Sequence, residues 1–180
     1  MIMYMNNKLN EEIRGLGLAY SAWISPSVND GKLSLDLYKA SKMAKAYIMA
    51  EEIIRNHLEN DSEWDENLVD SAKGKLIQYL TAAEANPQNL ASLSFQNYLK
   101  GRDAFYNRNL IYNVRKVTLS GMISAARQFL PSLLRRDVAQ TAIVCNPTKV
   151  KDIIYGFNKI GLKLTSYNSL DDIFARSYKF

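Results

Sequence analysis

A chain of 180 residues, 47% hydrophobic and 23% charged, suits one packed domain, at most with an extra lobe, and excludes a disordered polymer. One cysteine (Cys145) excludes a disulfide within the chain, one histidine (His57) excludes the paired-histidine zinc motifs HExxH and HxxEH, and no apolar run approaches the length that crosses a bilayer. The net charge of +5 is unevenly spread: residues 51–70 hold eight acids and one base, Arg55, whereas residues 100–136 hold eight bases and one acid, Asp103.

The first twelve residues have neither a basic n-region nor a long h-region, so they read as a leader segment and not as a signal peptide. Leu18, Tyr20, Ala22 and Ile24 then alternate with Ala19, Ser21, Trp23 and Ser25. Leu33, Leu35 and Leu37 alternate more cleanly with Ser34, Asp36 and Tyr38. Period two marks half-buried strands, and Pro26–Gly31 between them is rich in turn residues. Residues 13–40 are therefore expected to form an antiparallel hairpin with one face on a core.

The period next changes to three and four. Met43, Tyr47, Ala50, Ile54 and Leu58 predict a helix from about 41 to 59. Ser62–Asp65 resembles a capping box with aspartate in the N3 place. The helix after it runs to Ala85, with Leu68 or Val69, Ala72, Leu76, Tyr79 or Leu80, and Ala83 inward, and Asn86-Pro87 stops it. Shorter helices follow over 88–100, closed near Gly101, over Asn107–Lys116, and over Leu119–Leu130, the last capped by Thr118 and limited by Pro131. Thr141–Cys145 reads as a buried strand and Cys145 as a buried thiol. A helix over 148–160 with Gly161 as C-cap follows, then a short strand, Leu162–Thr165. Strand, helix, strand at this spacing is a crossover unit, so part of the sheet is expected to be parallel. The 137–180 end completes a layout of hairpin (13–40), helical region (41–136) and strand–helix–strand. The expected class is α+β (an α/β roll). Its mixed, mainly antiparallel sheet includes 17–25, 32–38 and 141–145, with helices 42–59 and 66–85 packed on one face.

His57, near the end of an amphipathic helix, reads as a structural residue that favours the helix dipole. No metal site is expected in this chain. Arg14 alone reads as a surface cation and Tyr20 as an inward strand residue. Gly15 and Gly17 permit an unusual backbone or the close approach of another chain. Taken together, a guanidinium and a phenol beside glycines at a strand mouth are two donors able to hold a carbonyl that gains negative charge.

The segment IRGLGLAYSAWISPSVNDGKLSLDLYKASKMAKAY, residues 13–47, resembles the C-terminal domain of the pitrilysin–insulysin–presequence-protease family, the inverted-motif zinc peptidases. The likeness rests on the arginine–glycine entrance, the start Gly17-Leu-Ala-Tyr20, the turn into Gly31-Lys-Leu-Ser-Leu and the Ala46-Tyr47 helix. In order, Leu68…Ala72-Lys-Gly-Lys75, Ile111…Val114…Val117-Thr118, Ile143-Val-Cys-Asn-Pro147 and Gly161-Leu extend it over nearly the whole chain. The closest variant is the long-chain branch related to presequence proteases.

The resemblance implies a single C-terminal-type domain over 1–180, of the LuxS/processing-peptidase-like type. Such enzymes are clamshells of four similar domains. The first carries HxxEH and zinc; the last contributes an arginine and a tyrosine to the bound peptide. Arg14 and Tyr20 match those places as auxiliary catalytic residues acting in trans to the zinc, with Gly15 and Gly17 shaping the substrate groove. No cofactor is expected in this chain; zinc is implied in the catalytic half. Expected partners are that half, in the same polypeptide or as a separate HxxEH-bearing chain, and peptide substrates. No membrane is expected as a partner. The chain alone is expected to be inactive. The expected compartment is the cytoplasm, with the mitochondrial matrix as the alternative. Thr118-Leu-Ser-Gly121 departs from the family by lacking the acid many relatives place after the cap. Two other readings stay open: a purely structural assembly domain of the same fold, and a basic nucleic-acid module. The latter is not favoured, and it requires the bases of 100–136 to converge on one face.

Overall fold

The computed structural model describes residues 1–27, 30–169 and 171–172; two residues of the expected turn, Val28 and Asn29, together with Leu170 and the last eight positions of the chain lie outside them. The expected leader is instead a core helix, α1 (Ile2–Gly15). Met5, Leu9 and Ile13 recur every four residues and, with Tyr4, are fully buried. Asn6 and Asn10, also four apart, lie along the neighbouring strand β1 (Ala19–Ser27). The Asn6 Oδ1 accepts the Ile24 N–H at 2.6 Å and its Nδ2 donates to the Ile24 carbonyl at 3.1 Å. The Asn10 Oδ1 accepts the Ala22 N–H at 3.0 Å. Two side-chain amides therefore pair with three outer backbone groups of β1, the N–H and carbonyl of Ile24 and the N–H of Ala22.

Strand β2 (Lys32–Ala40) pairs antiparallel with β1, Ile24 opposite Leu35 and Ala22 opposite Leu37, and these two strands are the whole sheet among the described residues. Gly31, at φ +61°, supplies the left-handed turn residue. Ala22 and Ile24 are buried, and Leu33, Leu35 and Leu37 pack half-buried against the same core.

Helix α2 (Met43–Glu59) crosses under both strands and buries Ala46, Ala50, Ile53, Ile54 and His57. Its buried stripe is rotated from the expected one, since Met43, Tyr47 and Leu58 are only half-buried. Helix α3 (Glu66–Glu84) was expected on the sheet; it packs against α1, because α1 already covers β1. Asp65 is its N-cap residue, its carboxylate accepting the Asn67 N–H at 2.8 Å, and not the N3 partner of a capping box. Asn86 caps α4 (Pro87–Leu99), which packs on α3 and buries none of its residues. Helix α5 (Tyr106–Arg115) returns to α3, and α6 (Leu119–Phe129), capped by Thr118, inserts Met122, Ile123 and Ala126 into the core. The short α7 (Pro131–Leu134) reaches β2. Helix α8 (Val150–Lys159) packs Phe157 against the Tyr47 ring of α2, with centroids 5.6 Å apart.

Thr141–Cys145 and Leu162–Thr165 are not strands, so there is no crossover and no parallel pairing among the described residues. Nor is Thr141–Cys145 buried: Val144 is 96% exposed, and Ile143 and Cys145 are half-buried. On the β1 side the asparagines occupy the border where a further strand would pair, and the apolar cover that further strands would give is supplied by α1. The molecule is α+β, mostly helical, with a small two-stranded antiparallel sheet. Among the described residues, no helix is long and apolar enough to cross a membrane.

Candidate functional site on the outer face of the hairpin

Arg14 lies in the last turn of α1, one step before the helix closes. The Leu18 N–H bonds to the Ile13 carbonyl at 3.1 Å and the Gly17 N–H to the Arg14 carbonyl at 2.9 Å, the double closure of a Schellman motif. Gly17, at φ +63°, occupies its left-handed position, so this glycine is required by the backbone. A Cβ at Gly15 or Gly17 would meet nothing within 4 Å, and both border open space. Ser41 ties the far end of the hairpin to this turn by donating its hydroxyl to the Gly17 carbonyl at 2.9 Å.

Tyr20 does not point inward as the alternation predicts. Ala19 and Ala22 are buried, and Tyr20 is 59% exposed. The cause sits opposite. Ala19 faces Ala40 and Ser21 faces Tyr38, but between these pairs Lys39 takes φ +49°, a left-handed conformation that breaks the pleat. Tyr20 stands out on the solvent face, its ring edge-on to Tyr38 at 6.2 Å between centroids. The Arg14 guanidinium carbon lies 5.3 Å from the Tyr20 centroid; the Lys39 ammonium lies 5.8 Å from Tyr20 and 5.3 Å from Tyr38. Trp23 extends the cluster, 6.4 Å from Tyr38. Each cation–ring contact is worth about 0.5–1 kcal/mol at an exposed site. Among the described residues, no carboxylate forms an ion pair with Arg14 or Lys39.

The structure thus brings Arg14 and Tyr20, both exposed, together on one open face. Tyr38, Lys39 and Trp23 belong to the same face and were missed as site residues. The signal for two of them was present: Trp23 and Tyr38 each fall on the polar side of a strand pattern, and the hairpin register joins those sides.

His57 is a core residue. Its Nδ1 lies 2.8 Å from the Ile53 carbonyl, and its ring packs edge-on to Tyr4 and Trp64. Its Nε2 is buried without a partner, and no group of three or more histidine, cysteine, aspartate or glutamate side chains among the described residues is placed to hold a metal ion. Purified without a histidine tag, the chain is expected to carry less than stoichiometric zinc. Elemental analysis checks this, and one chelator-resistant zinc per chain would contradict it.

Several of the eight bases of residues 100–136 have local partners of different kinds. Arg127 bonds the Leu58 carbonyl and pairs with Asp61 at 2.6 Å, and Arg135 pairs with Asp137. That partner and its hydrogen bond hold the exposed Asp137 carboxyl below its usual range. Arg102 and Lys116 lie over the rings of Tyr106 and Tyr112, at 4.1 and 4.0 Å.

No protein-family model matches the chain, and no solved structure matches it. The chain is 20% identical over 161 residues to Uncharacterized protein YOL098C of Saccharomyces cerevisiae (strain ATCC 204508 / S288c), a match that spans 89% of this chain and 16% of that protein.

Proposed function

We propose that this chain is the substrate-holding, non-catalytic domain of a zinc metalloendopeptidase of the inverted-motif type, with Arg14 and Tyr20 reaching a peptide bound opposite the zinc site. The observation that carries the reading is the pairing of these two exposed side chains on one face, 5.3 Å apart from guanidinium carbon to ring centroid. The likeness of residues 13–47 to the family supports it. So does the match to a much longer protein, which leaves room for a catalytic half.

In this reading Arg14 holds a substrate carbonyl with its rigid fork, and Tyr20 directs one hydrogen bond at the scissile carbonyl as negative charge grows on it. Zinc supplies an activated water in the other half. Glycines 15 and 17 keep the approach to the strand clear. The test is reconstitution with an HxxEH-bearing half or expression of the longer polypeptide. The assembled protein is expected to cleave peptides and the 180-residue chain alone is not. Arg14→Lys in the assembly keeps the charge and loses the fork, and is expected to lower kcat/KM by about tenfold through both KM and kcat. Wild-type kinetics in this variant would remove Arg14 from the reading.

A further inference from the structure

We infer that Lys39 makes this same face selective for acidic side chains in the extended peptide it holds, an inference that rests on the peptide-holding reading. The argument begins with the backbone. By strand alternation Lys39 belongs with Leu33, Leu35 and Leu37, on the core side. Its φ of +49° turns it out instead; it is the one non-glycine residue with positive φ among the described residues. Glycine or asparagine adopts that conformation readily and lysine does not, so the position is occupied at a conformational cost.

The consequence is positional. The distortion exports Lys39 and the facing Tyr20 to one side and sets the ammonium over two exposed rings, within 6 Å of each. The Arg14 guanidinium carbon also lies 5.3 Å from the Tyr20 centroid. Two cations thus border one aromatic platform without a carboxylate between them. Asp36, the nearest acid along β2, accepts from the Ser34 hydroxyl at 2.9 Å and pairs with neither cation. A carboxylate-bearing side chain entering beside Tyr20 completes this arrangement, and its aliphatic stem lies on the rings. The cluster has two cations and no track of further bases, which suits one acidic residue better than a run of phosphates.

The test uses the 180-residue chain and two blocked peptides, Ala-Ala-Glu-Ala-Ala and its glutamine counterpart, titrated at low salt against the ring resonances of Tyr20 and Tyr38. Binding is expected to be weak, with the glutamate peptide preferred by about fivefold. Lys39→Asn, which suits the backbone, is expected to abolish the preference without lowering the melting temperature, and Lys39→Arg to retain it. Equal affinity for both peptides, no response to either, an undiminished preference in Lys39→Asn, or equally tight binding of an oligothymidylate would overturn the inference. Its failure is separable from that of the peptidase reading. A preserved glutamate preference alongside unaltered turnover in a Tyr20→Phe assembly sinks the reading and leaves the inference. Lost preference alongside impaired turnover does the reverse.

Discussion

Replacing Tyr20 by phenylalanine is expected to lower turnover of the assembled peptidase by about 10–1000-fold while changing substrate binding much less. The phenol supplies one donor. In the ground state that donor meets a neutral carbonyl, which is a modest partner; in the transition state it meets growing negative charge, which is a strong one. Only the difference between the two appears in kcat. Stability should hardly respond. The ring is 59% exposed, and phenylalanine keeps its contacts with Arg14, Lys39 and Tyr38. Steady-state kinetics with a matched thermal melt is the measurement. Unchanged kcat in a folded variant would remove Tyr20 from the catalytic reading.

The largest loss of stability is expected from Asn6→Ala combined with Asn10→Ala. Asn6 alone satisfies both backbone groups of Ile24, a fully buried residue, and Asn10 satisfies the N–H of Ala22. Alanine leaves these groups without partners in a place that water reaches poorly. An unsatisfied buried backbone group costs about 1–3 kcal/mol, so the double variant should lose about 3 kcal/mol. The helix itself should not suffer, because alanine is the better helix former. Urea unfolding is expected to show a lower midpoint with an unchanged slope. Asn7→Ala is the control. Its carbonyl oxygen only accepts from exposed Lys75, and about 0.5 kcal/mol or less is expected. A double variant as stable as that control would mean the amides do not hold the strand.

The parts of the fold with local punctuation were legible from residues alone. Asn86-Pro87 stops one helix, Thr118 starts another, and Gly101 and Gly161 follow helix ends, so α4, α6 and α8 fall close to their expected bounds. The hairpin was legible because Leu33, Leu35 and Leu37 alternate without interruption. Helix α1 was not. Its stripe of Met5, Leu9 and Ile13 is interleaved with asparagine, lysine and glutamate, and Met1 offers no side-chain cap to announce a start. Thr141–Cys145 misled for a different reason. A short apolar run has the same pattern as a buried strand or a partly exposed extended segment, and only its neighbours decide.

At the site, Arg14 and Tyr20 could be paired by spacing and resemblance. The outward direction of Tyr20 could not be read, because it depends on a backbone distortion at Lys39, across the strand pair. No one-dimensional pattern carries that information.

The asparagines of α1 also give the sheet a direction of growth. With the N–H of Ala22 and both backbone groups of Ile24 engaged, the border at β1 is obstructed to a newcomer. The register then leaves the outward backbone groups of Leu33, Leu35 and Leu37 as the remaining ladder, at β2. Lysines at positions 32 and 39 flank that ladder, and such charges discourage chance edge-to-edge pairing. The sheet is thus a one-sided template: any strand that lengthens it must lie alongside β2, with α1 as the fixed far wall.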